Sequence, residues 1–238
     1  TDDYSYNNVA AGTALKDGKA TEKTYQEEYK LVGYFGRINY NYQGKYYLSA
    51  SIRHEGSSKF GADHKWGTFP AVSIGWNLKE ESFLKNVNFL SFLKLRAGYG
   101  ITGTIPGNPY LSLNTLDLGG YGYYGGQWTT LLRASSNPNP DLRWEKKKET
   151  NIGLDFAFFN DRISGSIDWY NRDTDDLIWD YTVSVPPYVK NTITANAGSI
   201  RNRGLEVSLN FIPVKTKSFT WDTGINFSTN TNELVSLS

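Results

Sequence analysis

The sequence predicts an all-β fold, an antiparallel transmembrane β-barrel segment of about eight strands. Three observations lead to this prediction. Apolar and polar residues alternate over runs of about ten residues, which is the period of a strand with two different faces. Tight turns and long loops follow one another between these runs, and aromatic residues gather beside the tight turns.

Alternation is the strongest of the three signals. In the run from Tyr46 to Glu55, the side chains of Tyr46, Leu48, Ala50 and Ile52 share one face, and polar or charged side chains share the other. The same pattern predicts strands near residues 31–42, 46–55, 72–78, 93–102, 151–158, 163–169, 205–211 and 219–228. Most of these runs approach the roughly 9 to 11 residues that a tilted strand needs to cross a bilayer.

The connections predict which strand ends lie together. Tight turns are predicted at Gln43-Gly44-Lys45, Asn160-Asp161 and Lys215-Thr216-Lys217, and long loops at about 56–66, 104–143 and 173–197. Because outer-membrane barrels have short periplasmic turns and long external loops, we expect the tight turns to face the periplasm. The segment Lys79–Asn88 is predicted to be a short helical turn at the same rim. Residues 1–26 are interpreted as a loop or the end of a preceding strand, and residues 27–238 as part of the barrel.

The surroundings of the tight turns and the polar face favour a membrane wall over a soluble sheet. Aromatic side chains flank each tight turn, as in the belts at membrane–water interfaces. The alternative is that they are ordinary cross-strand pairs of a soluble sheet. The polar face is rich in Gly, Ser, Asn and Thr, whereas the exposed face of a soluble sandwich usually carries many charges.

Composition excludes several classes of protein. No window approaches 18 consecutive apolar residues, which excludes a helical membrane protein. The net charge is +1 and the basic residues are spread along the chain, so we expect no nucleic-acid partner. The chain has no cysteine, which removes disulfides, thiol catalysis and cysteine-ligated metals.

Motifs of enzymes and cofactor sites lack the context that their chemistry needs. Gly98–Gly103 matches GxGxxG, but no helix begins after it to present backbone N–H groups to a phosphate. His54 and His64 have no second ligand at metal-binding spacing, and no GxSxG elbow is present. We therefore predict that the chain is not an enzyme and holds no cofactor or metal. An acidic group without EF-hand spacing is interpreted as a solvated loop: Asp173, Asp175 and Asp176.

Aromatic residues in the two longest loops form the candidate site. Exposed rings on loops suit stacking on sugars or packing against a partner protein. The candidate ligand or partner contacts are Tyr121, Tyr123, Tyr124, Trp128, Trp179 and Tyr181. The alternative is that the loop rings pack on one another and order the loops, and the sequence leaves both open.

Several short blocks of sequence occur in a characteristic order. They are Gly36–Tyr42, Ser51–Arg53, Gly56–Gly61, Phe69–Trp76, Leu93–Gly103, Asn139–Glu145, Asn151–Asp155, Tyr170–Arg172 and Asn202–Glu206. From about Glu28 to the end of the chain, the order and spacing of these blocks resemble the barrel of SusC/RagA-type TonB-dependent transporters of the Bacteroidota.

This resemblance implies a barrel of about 22 strands that is occluded by an internal plug. It implies a SusD-like surface lipoprotein that acts as a lid, and energy from the TonB–ExbB–ExbD complex acting through the plug. It also implies location in the bacterial outer membrane, in contact with its lipid, and import of oligosaccharides or peptides. The glycan or peptide substrate itself is not readable from these residues.

The sequence departs from the family pattern by showing no signal peptide, TonB box, plug or closing strand. About eight such strands would leave two unpaired edges in lipid, so we expect a fragment of a longer polypeptide. Two other hypotheses remain open. One is a passive porin or structural barrel of an envelope machine, and the other is a soluble carbohydrate-binding β-domain with its apolar face buried beneath a second protein layer.

Overall fold

An antiparallel sheet of eight strands forms most of the computed structural model, which describes residues 27–237. The strands are β1 (Leu31–Tyr42), β2 (Tyr46–Ser57), β3 (Trp66–Asn77), β4 (Leu90–Thr104), β7 (Glu145–Phe158), β8 (Ile163–Asp175), β11 (Ser199–Lys215) and β12 (Thr220–Ser236). They pair in the order β1-β2-β3-β4-β7-β8-β11-β12. The eight alternating runs are therefore confirmed as neighbouring strands of one sheet. The interpretation of residues 1–26 lies outside the described residues.

The pairing register keeps the apolar side chains together on one face. Leu48 of β2 lies opposite Ile74 of β3, and Ile74 lies opposite Ala97 of β4. Ala97 in turn lies opposite Ile152 of β7, and the row continues through Trp169 of β8 and Leu205 of β11. Because a slip of one residue would send every one of these side chains to the other face, the register reproduces the predicted faces strand by strand.

The apolar face is open among the described residues. The side chains of Ile38, Ile74 and Ile225 are 73%, 57% and 60% exposed. A soluble sandwich would bury this face under a second sheet at about 10 Å. Within residues 27–237, no second sheet covers the three isoleucines as a soluble sandwich would require, and their exposure fits the predicted lipid-facing side.

Short and long connections alternate along the chain as predicted. Turns at 43–45, 159–162 and 216–219 lie at one end of the sheet, and long connections at 58–65, 105–144 and 176–198 lie at the other. The connection between β3 and β4 contains a 3-10 turn at Leu78–Glu80 and a short helix α1 at Ser82–Lys85, which confirms the predicted helical turn. Within residues 27–237, no helix has the length and apolarity to cross a membrane.

Two short hairpins lie inside the longest connections, and the alternation pattern did not predict them. The first pairs β5 (Leu116–Tyr124) with β6 (Gln127–Ala134), and the second pairs β9 (Ile178–Thr182) with β10 (Thr192–Asn196). The first hairpin turns through Gly125 and Gly126, both at positive φ. Two-residue hairpin turns favour glycine because their central residues adopt this left-handed conformation.

The acidic residues that were interpreted as a solvated loop lie largely on a strand. β8 runs through Asp173 and Asp175, so the interpretation is wrong for these two residues. At the long-loop ends of β7, β8, β11 and β12, the side chains on the same side of the sheet as the apolar row are charged, and they form ion pairs between strands. The ion pairs are Lys148–Asp175 at 2.7 Å, Arg201–Asp173 at 2.6 Å and Arg203–Glu233 at 2.9 Å. Asp176 follows the strand and binds Arg143 at 2.6 Å.

A buried hydrophobic cluster fills the space where β3 and β4 separate. Pairing between these strands ends at Ala71 and Gly100, towards the long loops. Beyond that point the buried side chains of Phe60, Phe69, Leu142 and Trp144 pack together. The rings of Phe60 and Phe69 lie 4.8 Å and 5.1 Å from that of Trp144.

Backbone contacts and small residues hold this cluster in place. The indole Nε1 of Trp144 donates a hydrogen bond to the carbonyl of Lys65 at 3.0 Å, and the N–H of Gly61 donates to the carbonyl of Leu142 at 3.0 Å. A Cβ on Gly67 would lie 2.5 Å from Phe69 Cζ, so only glycine leaves room for this ring. The cluster therefore fastens the connections 58–65 and 105–144 to the end of the sheet.

Leu142 tests how much the cluster contributes. Its side chain is fully buried, at 0% exposure, so Leu142→Ala leaves a cavity. In the full-length protein we expect a loss of about 2–5 kcal/mol in the free energy of unfolding, measured by urea titration in lipid vesicles, and faster proteolysis of 105–144. Leu132→Ala is the matched control because Leu132 is 64% exposed. Equal losses of stability for both variants would contradict the conclusion that Leu142 belongs to a buried cluster that stabilises the fold.

Candidate functional site

Aromatic side chains border the apolar face at both ends of the strands. At the tight-turn end, the ring of Tyr46 stacks on Tyr42 at 6.4 Å and on Trp76 at 6.3 Å. At the long-loop end, the ring of Trp66 stacks on Tyr34 at 6.3 Å and on His54 at 4.8 Å.

The spacing of these two aromatic groups matches a membrane. On β1, the strand Leu31–Tyr42, the step from Tyr34 to Tyr42 covers about 27 Å along the strand at ~3.4 Å per residue. A strand tilted by about 40° would place the two groups roughly 20 Å apart along the membrane normal, close to the ~25 Å apolar band of outer-membrane barrels. The aromatic groups therefore have the spacing of two interfacial belts.

A carboxylate fixes the aromatic group at the tight-turn end. Glu81 Oε1 accepts hydrogen bonds from the Tyr46 hydroxyl at 2.6 Å and from Trp76 Nε1 at 3.1 Å, while Lys45 Nζ lies 3.4 Å from Oε2. The Tyr46 hydrogen bond, followed by that of Trp76, holds the pKa of the Glu81 carboxyl below its usual value, although partial burial acts in the opposite direction. The connection before α1 is thereby tied to strands β2 and β3.

The polar face carries an ion network formed by Arg96, Asp155 and Asp168. Arg96 of β4 donates from Nε and Nη2 to both carboxylate oxygens of Asp155 at 2.7 Å, and Nη2 reaches Asp168 of β8 at 2.8 Å. Gly153 lies between these strands in register with Arg96 and Asp168. A Cβ there would lie 2.7 Å from Arg96 Cζ, so the glycine leaves a passage for the guanidinium across β7.

The β5–β6 hairpin brings three of the six candidate rings together. Tyr123 pairs with Trp128 across the hairpin, with ring centroids 5.6 Å apart in an edge-on arrangement, and Tyr121 lies two residues along the same face. Tyr124 points to the opposite face and is 83% exposed. Three leucines that the sequence reasoning missed extend the face of Tyr123 and Trp128: Leu116, Leu118 and Leu132.

The remaining two candidates lie two residues apart on β9 of the second hairpin and differ in exposure. Trp179 is exposed, whereas Tyr181 is half-buried and its hydroxyl donates a hydrogen bond to the carbonyl of Ala197 at 2.7 Å. Asn137 of the first long loop binds the backbone of the second, because its Nδ2 donates to the carbonyls of Lys190 and Thr192 at 2.7 Å and 2.8 Å. The bases of the two loops are therefore fastened together, while the β5–β6 hairpin pairs with no other described strand.

The sequence is similar to a well-defined set of proteins. Residues 1–236 match the family described as TonB dependent receptor-like, beta-barrel. The TonB-dependent receptor SusC of Bacteroides thetaiotaomicron is 43% identical over 228 residues, which cover 93% of this chain and 22% of SusC. The TonB-dependent receptor P3 of Formosa agariphila is 35% identical over 237 residues, which cover 100% of this chain and 23% of P3. The chain thus spans about a fifth of the length of the curated relatives it matches.

Solved structures show the same architecture. The RagAB peptide importer in its closed-closed state matches with a TM-score of 0.81 and 29% identity, over 89% of this chain and 23% of that chain. Its open-open state gives a TM-score of 0.80 and 28% identity, over 94% of this chain and 24% of that chain. The siderophore receptor PirA of Pseudomonas aeruginosa, with a TM-score of 0.54 and 16% identity over 86% of this chain and 32% of that chain, supports the fold alone.

Adjacent residues on β12 test which face contacts lipid. Ile225 belongs to the apolar face and Asn226 to the polar face. In lipid vesicles we expect Ile225→Arg to lower folding stability by about 2–4 kcal/mol, because an arginine in the apolar band must enter hydrocarbon. Asn226→Arg is the matched control, and we expect it to fold like the parent. The folded fraction is measured by heat-dependent migration in gels, and the reverse ranking would overturn the assignment of faces.

The lowered pKa of Glu81 predicts a pH-dependent stability. A carboxyl with a lowered folded-state pKa stabilises the protein above its unfolded pKa of about 4.3, and the contribution is lost as pH falls through the folded-state pKa. We expect Tyr46→Phe to destabilise the protein at pH 6, and we expect its deficit relative to the parent to shrink as the pH falls below about 4, measured by urea unfolding. Tyr42→Phe is the control because Tyr42 stacks in the same group without touching Glu81. A Tyr46→Phe effect that is constant with pH would contradict this account.

Proposed function

Because the chain belongs to the family of TonB-dependent receptor β-barrels, which lie in the bacterial outer membrane, we propose that it forms wall and external loops of a TonB-dependent importer. The proposed cargo is an oligosaccharide or a peptide. The single observation that carries this proposal is the apolar row that crosses the sheet from Leu48 to Leu205, bordered by aromatic belts, with a polar face behind it. A strand with these two faces separates lipid from an aqueous lumen.

The proposed orientation places the tight turns in the periplasm and the long loops outside the cell. Short periplasmic turns and long external loops are the rule in outer-membrane barrels. The wall contributes no chemistry of its own in this proposal. Energy from TonB–ExbB–ExbD would act on a plug inside the barrel, and this stretch would supply lumen lining and loops. The match to TonB-dependent receptors over residues 1–236 favours this role over that of a passive porin or a structural barrel.

The two substrate classes have different support. The family resemblance implies oligosaccharides or peptides, and SusC is the more similar relative in sequence, at 43% identity. The matched RagAB structures are those of a peptide importer, at 28–29% identity, which supports the peptide class. Uptake of labelled oligosaccharides and peptides of equal length by cells that produce the full-length transporter would separate the two classes.

The β5–β6 hairpin is the proposed contact for a SusD-like lipoprotein lid. Its face combines the rings of Tyr121, Tyr123 and Trp128 with three leucines, and all six side chains are well exposed. Sugar stacking uses a ring face with polar neighbours, whereas this surface is apolar and its central pair meets edge-on at 5.6 Å. Large aromatic side chains at the centre of an apolar patch are the residues that most often carry binding energy between proteins. Tyr124, Trp179 and Tyr181 are proposed as secondary ligand contacts.

A double substitution tests the hairpin. In the full-length transporter we expect Tyr123→Ala with Trp128→Ala to weaken lipoprotein binding at least ~10-fold, since two such side chains contribute more than about 1.4 kcal/mol together. Binding is measured by surface plasmon resonance in detergent, and uptake in cells should fall with it.

The matched control replaces Gln127 and Thr129, on the opposite face of β6, with alanine. We expect this variant to bind and transport normally. Unchanged lipoprotein affinity and uptake in the Tyr123→Ala, Trp128→Ala variant would refute the proposed contact.

A further inference from the structure

Two cations on the polar face have no carboxylate partner among residues 27–237. Lys94 Nζ lies 4.5 Å from the ring centroid of Tyr47, and Arg37 Cζ lies 5.2 Å from that of Phe35. A ring face attracts a cation but does not accept its N–H hydrogen bonds in the way an oxygen does. Within the described residues, both cations therefore retain free donors.

The neighbouring strands explain why Lys94 is unpaired. Asp155 lies directly opposite Lys94 in the register, but both of its oxygens are taken by Arg96 at 2.7 Å. Lys94 instead extends the other way, across β3 at Gly75, where a Cβ would lie 3.0 Å from Lys94 Cε. The aspartate, the arginine and the glycine together direct the ammonium group to the polar recess beside Tyr47.

Most of the polar groups around the two cations are neutral hydroxyls and amides. A recess of about 500 Å³ contains Lys94, and an adjoining recess of about 350 Å³ contains Arg37. The two recesses share Ser49, Ser73 and Asn151 in their lining. We refer to both together as the polar trough, a continuous surface of hydroxyl and amide groups with a cation in each part.

The charges near the polar trough leave it positive. Glu149, which lines the second recess, is held by Arg172 at 2.7 Å. Arg96 with its two aspartates carries one surplus negative charge beside the first recess. Lys94 and Arg37 contribute two positive charges against this one. The trough therefore favours an anionic group.

An amide on the same face, beside Lys94 in the register, also lacks a partner. Asn77 is the cross-strand neighbour of Lys94, and its Oδ1 is buried without a hydrogen bond among the described residues. Its Nδ2 makes only a long contact of 3.4 Å to the carbonyl of Gly44. Because buried polar atoms are nearly always hydrogen-bonded, the polar face beside Lys94 is incompletely paired within residues 27–237.

We propose that the polar trough binds a carboxylate-bearing segment inside the barrel. The inference rests on the proposed function, since the polar face must line the lumen. The carboxylate would accept hydrogen bonds from Lys94 or Arg37, and neighbouring polar groups of the segment would meet Ser49, Ser73 and Asn151. Two sources supply this chemistry: an acidic side chain of the plug, or an acidic substrate in transit.

The test compares Lys94→Met with Lys94→Arg in the full-length, plug-containing transporter. Lys146→Met is the matched control, because Lys146 is an exposed lysine on the opposite face of the sheet and forms no ion pair within residues 27–237. In the substrate arm, calorimetry measures binding of a galacturonic acid tetramer and an acidic tetrapeptide against their neutral counterparts. In the plug arm, hydrogen exchange of plug amides is measured without ligand.

If the substrate supplies the carboxylate, Lys94→Met weakens binding of an acidic ligand at least fivefold, leaves neutral ligands unchanged, and Lys94→Arg restores the affinity. If the plug supplies it, Lys94→Met speeds exchange of plug amides at least fivefold and Lys94→Arg does not. A Lys94→Met variant that matches Lys146→Met in both arms overturns the proposal. Failure of the proposed function is seen separately, in the lipid-facing test with Ile225 and Asn226.

Discussion

The parity of the strand register is the constraint on which the rest of this structure depends. In hydrocarbon every backbone N–H and C=O must be paired, so the strands have no freedom to separate or shift where lipid surrounds them. Leu48 lies opposite Ile74, and each following pair of strands as far as Leu205 keeps the same parity, so the apolar residues of these strands share one face. The aromatic belts, the ion network and the polar trough then follow from which side of the sheet each residue occupies.

The alternation of apolar and polar residues was enough to predict those parts of the fold that depend on residues close together in the sequence. The eight strands, their faces, the tight turns and the helical turn between β3 and β4 all rest on neighbouring residues. The β5–β6 hairpin was missed because glycines and a bulge between Leu118 and Gly120 interrupt its alternation. Asp173 and Asp175 were misplaced because acidic side chains on a strand look like a loop until their partners on β7 and β11 are known.

The candidate site was harder to predict than the fold, because it depends on contacts between residues on different strands. Tyr121, Tyr123 and Trp128 were identified from residue type and their place in a loop. Only the pairing of β5 with β6 shows that three leucines lie on the same face as these rings. The cluster around Leu142 joins residues far apart in sequence, and no local pattern announces it. Likewise, Lys94 is unpaired because Arg96 occupies Asp155, a competition that spacing along one strand does not reveal.

The ion pairs at the long-loop end of β7, β8, β11 and β12 lie at a definite distance along the strands from the apolar row. From Ile152, in the apolar row, to the ion-paired Lys148 the strand continues for about 14 Å at ~3.4 Å per residue. With a tilt of about 40°, this places the ion pairs roughly 10 Å above the apolar row along the membrane normal, near the outer edge of the apolar band. In the proposed orientation, the pairs of arginine and lysine with acidic residues brace the strands there, and the movement that accompanies a lid would be confined to the hairpins and loops beyond them.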